Sequence, residues 1–331
     1  VDGHRRLGFG LGSMIEKLLA RGICPSDAAV DLALLAALVT AADTRLSRAT
    51  ESQDSWTREI DLYVPVSDPA LWTSVSALLQ RTLNFLTGDR WRVYFRERHR
   101  DSRLLIGRPA RLALGSNFDS VCLFSGGLDS FVGAIDLLAT QRKPLLVSHY
   151  WDLSTSTQQL CASRLGKVYG DTRLRHVRVR VGFDKNDFVM VADAEQTLRG
   201  RSFLFFALAA LAASGMGAQT TIFVPENGLI SLNVPLDPLR VGAWSTRTTH
   251  PFYMARWNEL LSALGINALL DNPYRFQTKG EMLAGCANQS LLGRFVGETI
   301  SCSSFSKARY RGESPRHCGY CVPCLIRRAA I

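Results

Sequence analysis

The chain has 331 residues, enough for one large domain or two of ordinary size. With 47% hydrophobic and 21% charged residues it has the composition of a globular protein, and it lacks an apolar run of the roughly eighteen residues that a membrane-spanning helix needs. The net charge of +10 favours anionic ligands without choosing among nucleotides, nucleic acid and acidic proteins. Because no signal-peptide pattern opens the chain, we expect a cytoplasmic protein with no membrane partner.

The first part of the chain predicts a small α+β unit. Helical and alternating apolar patterns give a helix, a strand, a helix and a strand over 27–47, 58–66, 71–86 and 91–95. The unit contains no chemical motif, so its role is left open. We assign it to residues 1–115.

Beyond this unit, short apolar strands alternate with helices. Strands are expected over 121–124, 145–148, 177–181 and 221–224, with helices over 131–139, 157–169 and 203–213. This alternation predicts βαβ units and a doubly wound parallel sheet, which binds ligands at the carboxyl ends of its strands. Past Pro225 the pattern gives loops, a helix over 253–264 and a short helix after Lys279. We expect a catalytic domain over 116–300 and a cysteine module over 301–331.

A glycine-rich turn joins the first of these strands to its helix, and it reads Ser125-Gly126-Gly127-Leu128-Asp129-Ser130. Glycines let the backbone turn tightly, and the N–H groups at the start of the next helix, with the two serine hydroxyls, suit a phosphate. Asp129 fits either a Mg²⁺ that accompanies the phosphates or a helix cap. The turn is neither a Walker A loop nor a dinucleotide motif. Its position between strand and helix favours a nucleotide site over an ordinary turn.

Four of the eight cysteines lie together near the C-terminus: Cys302, Cys318, Cys321 and Cys324. The other four are scattered through apolar segments, and we interpret them as reduced core residues. Four thiolates with two-residue gaps can close a structural, tetrahedral Zn²⁺ site. An iron–sulfur cluster would also use four cysteines, so the spacing leaves both open.

The hexapeptide resembles the signature of the PP-loop ATP pyrophosphatases. The ending Cys-Gly-x-Cys-x-x-Cys followed by Leu-x-Arg resembles the C-terminus of 7-cyano-7-deazaguanine synthase (QueC), and the segments that begin at Gly200-Arg201 and Thr278-Lys279 resemble two more of its stretches. The resemblance covers about residues 120–331. Its extra N-terminal unit makes the chain more similar to the QueC-like proteins of bacterial anti-phage defence systems, the QatC type.

This resemblance implies an ATP-dependent enzyme. Such an enzyme adenylates a carboxylate, here of the 7-deazaguanine type, releases pyrophosphate and passes the acyl group to an amine. It implies Mg²⁺ and ATP on the loop, Asp129, Ser130 and Lys279 in catalytic roles, and Arg201 near a phosphate. The implied partners are a deazapurine acid, a protein acceptor or other defence-system subunits, with nucleic acid left open. A tRNA-modifying PP-loop enzyme and a non-catalytic nucleotide-binding subunit of a defence complex are the alternatives.

Other residues are candidates for reading the substrate. The loop Glu226–Asn233 follows a predicted strand and differs from the substrate loop of the synthase. Glu226 and Asn227 could pair with the edge of a purine-like base, although Asn-Gly is also a common turn. Trp151, beside His149 and Tyr150, is a candidate for stacking on a base.

The segment before residue 251 is a second candidate for substrate contact. Arg247 could meet an anion and His250 could move a proton. The alternative is that Thr249 merely caps the helix that Pro251 opens.

Overall fold

The structure is a computed structural model that describes residues 10–98, 117–150, 155–183, 195, 198–217, 219–232, 247–302, 312 and 316–331. It divides into two compact units, Val1–Ser116 with Val179–Thr220 and Pro251–Leu269, and Asn117–Arg178 with Thr221–His250 and Leu270–Ile331. The expected domains follow one another along the chain, whereas each of these units consists of three segments that alternate with those of the other. The cysteine module belongs to the second unit, and the expected boundary at 115 lies outside the described residues.

The first unit combines helices with a two-stranded parallel sheet. Its elements are α1 (Leu11–Leu19), α2 (Asp27–Arg45), α3 (Arg48–Glu51), β1 (Glu59–Val66), α4 (Pro69–Ser74), α5 (Ser76–Thr87), β2 (Arg90–Glu97), α8 (Arg201–Ala213) and α10 (Pro251–Ala263). Helix α2 begins where the Ser26 hydroxyl accepts from the Ala29 N–H at 3.3 Å, and it packs along α8. The single helix expected over 71–86 is two helices, α4 and α5.

A buried ionic network holds the first unit together. The Arg58 guanidinium donates to Asp89 Oδ2 at 2.6 Å and to Asp43 Oδ1 at 2.7 Å, and Arg48 also donates to Asp89 Oδ2 at 2.6 Å. Asp43 accepts in addition from the N–H of Gly200, just before α8, at 2.7 Å. The network therefore joins α2, the start of both strands and the start of α8.

Replacing Arg58 by methionine is expected to lower the free energy of unfolding by about 3–5 kcal/mol, because it leaves two buried carboxylates without their main cation. The matched control is Arg90→Met, since the Arg90 side chain is 74% exposed and pairs with the exposed Glu59 at 3.2 Å. That change should cost under about 1 kcal/mol. Urea unfolding followed by circular dichroism measures both, and equal losses would show that the network does not stabilise the unit.

The second unit is built on a five-stranded, all-parallel sheet. Its elements are β3 (Ser120–Leu123), α6 (Leu128–Ala139), β4 (Pro144–His149), α7 (Thr155–Tyr169), β5 (Arg175–Val179), β6 (Thr220–Phe223), α9 (Gly228–Ser231), β7 (Ala268–Asp271), α11 (Lys279–Ala284), α12 (Gln289–Phe295), a 3-10 turn (Val296–Glu298) and α13 (Val322–Ala330). The expected parallel α/β sheet is confirmed. Strand β7 was missed, because four residues without a β-branched side chain give no distinct pattern.

The strand order is β5-β4-β3-β6-β7. Chain order therefore reverses between β3 and β6, and the connections that leave these two neighbouring strands diverge. Such a topological switch point opens a crevice at the carboxyl ends of the strands, where α/β proteins bind ligands. No helix within the described ranges is long and apolar enough to cross a membrane.

Candidate functional site

The loop after β3 is shaped by two glycines. Gly126 has a φ of 77°, and a Cβ there would lie 3.0 Å from the backbone nitrogen of Gln158. Gly127 directly precedes α6, and its N–H donates to Ser125 Oγ at 3.2 Å. Ser130 Oγ donates to Gly127 O at 3.0 Å and lies 3.1 Å from Ser125 Oγ. Both hydroxyls thus lie at the amino end of α6, where the helix dipole favours an anion.

Asp129, in the first turn of α6, is held by Asn227, which follows β6, and by Lys279, which opens α11. The backbone N–H and Nδ2 of Asn227 donate to its Oδ2 at 3.2 and 2.8 Å. Lys279 Nζ donates to its Oδ1, and the two side chains are only 8% and 12% exposed. Lys279 is fixed in turn because it opens α11, whose start has a capping box between Thr278 and Glu281.

Asn227 supports the site from behind. The sequence predicts that it reads a base, but its side chain is fully buried, and its Oδ1 caps α9 by accepting from the Ile230 N–H at 3.4 Å. Its amide is used within the protein, so its place is to orient Asp129. The next residue must be glycine, because a Cβ on Gly228 would lie 2.2 Å from Arg275 O.

Glu226 is the second carboxylate of the site. Its Oε2 accepts from Thr249 Oγ1 at 2.7 Å, and Asn272, just after β7, donates to its backbone carbonyl at 2.8 Å. The residue is partly exposed. Desolvation nevertheless raises the pKa of Glu226 to about 7; nearby Asp129 adds to the rise, and the Thr249 bond and Lys279 oppose it. A carboxyl group with such a pKa in a cleft is typical of functional sites.

A cavity of about 250 Å³ lies over these groups. It is lined by residues from the loop, the end of β6, the start of α11 and the cysteine module: Ser125, Gly127, Leu128, Asp129, Ser130, Pro225, Glu226, Ile230, Lys279, Ile300, Ser301, Pro323 and Ile326. The structure therefore brings most of the predicted loop residues together with Glu226 and Lys279. The sequence analysis did not predict that Ile300, Ser301, Pro323 and Ile326 line the cavity, because their only distinguishing feature in the sequence is that they lie near the cysteines.

Several predicted residues are not among the described residues that line the cavity. Arg201 opens α8 in the first unit, where its guanidinium lies 5.1 Å from the centre of the Phe205 ring, and its phosphate contact stays a prediction. Arg247 and His250 belong to the second unit but are not among the described residues that line the cavity. Burial and Arg247 lower the pKa of His250. It is Thr249, between them, that reaches the site; Trp151 and Asn233 lie outside the described residues.

The four C-terminal cysteines form a cluster whose Sγ atoms all lie within 4.8 Å of one another. The Sγ atoms of Cys302 and Cys321 are 3.8 Å apart, and those of Cys318 and Cys324 are 4.0 Å apart. A tetrahedral ion with Zn–S bonds of about 2.3 Å requires sulfurs about 3.8 Å apart. The cluster therefore fits a single zinc ion.

The local backbone supports the same interpretation. The N–H groups of Cys318 and Cys321 donate to the sulfurs of Cys302 and Cys318 at 3.4 and 3.3 Å, so the chain wraps the cluster. Of the remaining cysteines, Cys122, Cys161 and Cys286 are buried as expected. Cys24 was expected in the core but is exposed, because it lies in the turn between α1 and α2.

The segment that leads to Cys302 contacts the glycine loop directly. The Ile300 N–H donates to Gly126 O at 3.0 Å. Buried Arg327 of α13 donates to Thr299 Oγ1 at 2.7 Å, and Arg164 of α7 pairs with both carboxylate oxygens of Glu298 at 3.0 and 2.9 Å. The cysteine module is thereby part of the scaffold of the cavity.

Comparison of the sequence with models of known protein families, and with curated proteins, finds no match. What the site does is therefore inferred from its own groups and from the motifs that they belong to.

Proposed function

We propose that this chain is an ATP-dependent enzyme of the PP-loop kind, which adenylates a carboxylate, releases pyrophosphate and passes the acyl group to an amine. One observation carries the proposal. The Ser-Gly-Gly-Leu-Asp-Ser loop lies at the topological switch point of a parallel sheet and faces a cavity that also contains Lys279. Switch points of such sheets bind nucleotides in many proteins.

The groups in the cavity suit a phosphate chain. The amino end of α6, the Ser125 hydroxyl and the Lys279 ammonium can donate to it, and the helix end and the ammonium supply positive charge. At about 250 Å³ the cavity is smaller than the roughly 300–1,000 Å³ of most small-ligand sites, which fits the phosphate end of a nucleotide better than all of it.

The expected chemistry requires few covalent contributions from the protein. A carboxylate oxygen attacks the α-phosphorus, and the bond to pyrophosphate breaks. The protein positions the two reactants and stabilises the charge that develops on the phosphates, which is the task of Lys279 and the helix end. By resemblance, the acid is a 7-deazaguanine carboxylate, and the setting is anti-phage defence.

The two implied metals fit the structure differently. Zinc fits the cysteine cluster in a structural role, since four thiolates leave no open position. Mg²⁺ fits less well as the site stands, because Lys279 and Asn227 already hold the Asp129 carboxylate. When bound with the nucleotide, Mg²⁺ would neutralise phosphate charge, and Asp129 is the side chain that would meet it if the pair with Lys279 opens.

Exchange of labelled pyrophosphate into ATP tests the proposal. We expect the purified chain to catalyse exchange with 7-carboxy-7-deazaguanine present and not with 7-deazaguanine, which lacks the carboxylate. With ammonia added, we expect the free nitrile not to be the main product, because the loop after β6 differs from that of the synthase. ATP binding without exchange would contradict the proposal and favour a non-catalytic nucleotide-binding subunit.

A further inference from the structure

The two carboxylates that line the cavity differ in how far the protein already uses them. Asp129 has both oxygens occupied, one by Lys279 and the other by Asn227. Glu226 uses Oε2 for the Thr249 hydroxyl, and its Oε1 accepts none of the hydrogen bonds found in the described part of the chain. Glu226 therefore has an oxygen to offer to a ligand in the cavity.

Glu226 is also held in place. Its carbonyl is fixed by Asn272, and the tight approach of Gly228 to Arg275 fixes the backbone two residues later. Within the described ranges, the charged side chains that act on it are Asp129 of α6 and Lys279 of α11. Since its pKa is raised to about 7, the group exists in both protonation states near neutral pH, as proton transfer requires.

Asp129 is a poor candidate for the same task. Its carboxylate is already committed to the buried ion pair with the Lys279 ammonium, whose side chain is only 8% exposed. Glu226 can gain a proton without breaking an ion pair, because its described side-chain partner is a neutral hydroxyl.

Building on the proposed function, we propose that Glu226 Oε1 accepts the proton of the amine that captures the acyl adenylate. The amine nitrogen donates its lone pair to the acyl carbon, and a C–N bond forms. The C–O bond to the adenylate phosphate breaks, and its electron pair leaves with AMP. The N–H proton passes to Oε1 and then to water, while the Thr249 hydroxyl keeps the carboxyl group oriented.

The test compares wild type with Glu226→Gln in the full chain, because glutamine keeps the size of the side chain and an oxygen for Thr249. Amide formation from ammonia should fall about a hundredfold or more relative to carboxylate-dependent exchange of pyrophosphate into ATP. Hydroxylamine must lose a proton as well, but its hydroxyl group makes the N–H of the adduct more acidic, so the proton passes readily to water and hydroxylamine should capture the adenylate about equally in both. Glu259→Gln is the control, because this exposed glutamate belongs to the first unit and pairs there with Arg256.

A pH series provides a second measurement. When the rate of amide formation is divided by the concentration of unprotonated ammonia, the wild-type rate should rise with pH through about 7, and the variant should show no such rise. Amide formation by the variant at the wild-type rate would overturn the role. Loss of exchange as well would overturn it in favour of substrate reading by Glu226. Absence of exchange in wild type would instead contradict the proposed function itself.

Discussion

Replacing Lys279 by methionine is expected to lower pyrophosphate release about 10²- to 10³-fold, the usual cost of removing one group that stabilises charge in a transition state. Lys279 is the one cationic side chain among the described residues that line the cavity. Its position at the first turn of α11 is set by the capping box, so the loss would follow from the missing charge and not from a displaced helix. Steady-state release of pyrophosphate, with the acid present, measures the effect.

Because Lys279 forms an ion pair with Asp129, its replacement should also change the stability of the protein, and a double variant separates the two effects. Among the described residues, Lys279→Met leaves the Asp129 carboxylate, 12% exposed, with the neutral Asn227 groups as its remaining hydrogen-bond donors, so stability should also fall by a few kcal/mol. In Lys279→Met combined with Asp129→Asn both charges are gone. We expect this double variant to regain much of the thermal stability and none of the activity. A double variant that turns over at the wild-type rate would exclude Lys279 from the chemistry.

The sequence predicts the parts of this site whose signals are local. The glycine loop and the clustered cysteines are contiguous or nearly so, and alternating strands and helices predict the parallel sheet. The burial of Asp129, by contrast, has no local signal in the sequence. In the sequence it belongs to a turn, and turns are usually exposed. Its carboxylate is nevertheless mostly buried, because its partners Asn227 and Lys279 come from segments about a hundred residues or more away.

The rest depends on contacts that no spacing reveals. The strand order places the end of β6 beside the end of β3, and only this makes Glu226 a wall of the same cavity. Thr249 is 23 residues from Glu226 along the chain, so the sequence gives no sign that these two side chains meet. Its neighbours Arg247 and His250 were chosen as candidates because an arginine can bind an anion and a histidine can move a proton. The buried network of Arg58 in the first unit likewise joins segments whose charges resemble ordinary surface residues in the sequence.

Removal of the metal from the cysteine cluster is expected to weaken nucleotide binding about 5- to 150-fold, the usual range of coupling between two sites. Residues next to the cluster also form part of the cavity. The Ile300 N–H donates to Gly126 O in the glycine loop, and Ser301, Pro323 and Ile326 line the cavity. Without a metal, four crowded thiols no longer fix Cys302 against α13. The loop then loses its backbone partner, and the cavity loses one side.

The experiment has three measurements on the full chain. Elemental analysis should show about one zinc per chain, as one tetrahedral site requires. Calorimetry should show weaker binding of a non-hydrolysable ATP analogue after chelation of the metal and in Cys302→Ser. A thermal scan of the same samples should show unfolding at a lower temperature, because metal binding and folding are coupled. Cys24→Ser, at an exposed cysteine outside the cluster, should match wild type in all three. Iron in place of zinc would refute the metal assignment. Unchanged nucleotide affinity in a folded, metal-free chain would show that the contact between Ile300 and Gly126 holds the loop without help from the cluster.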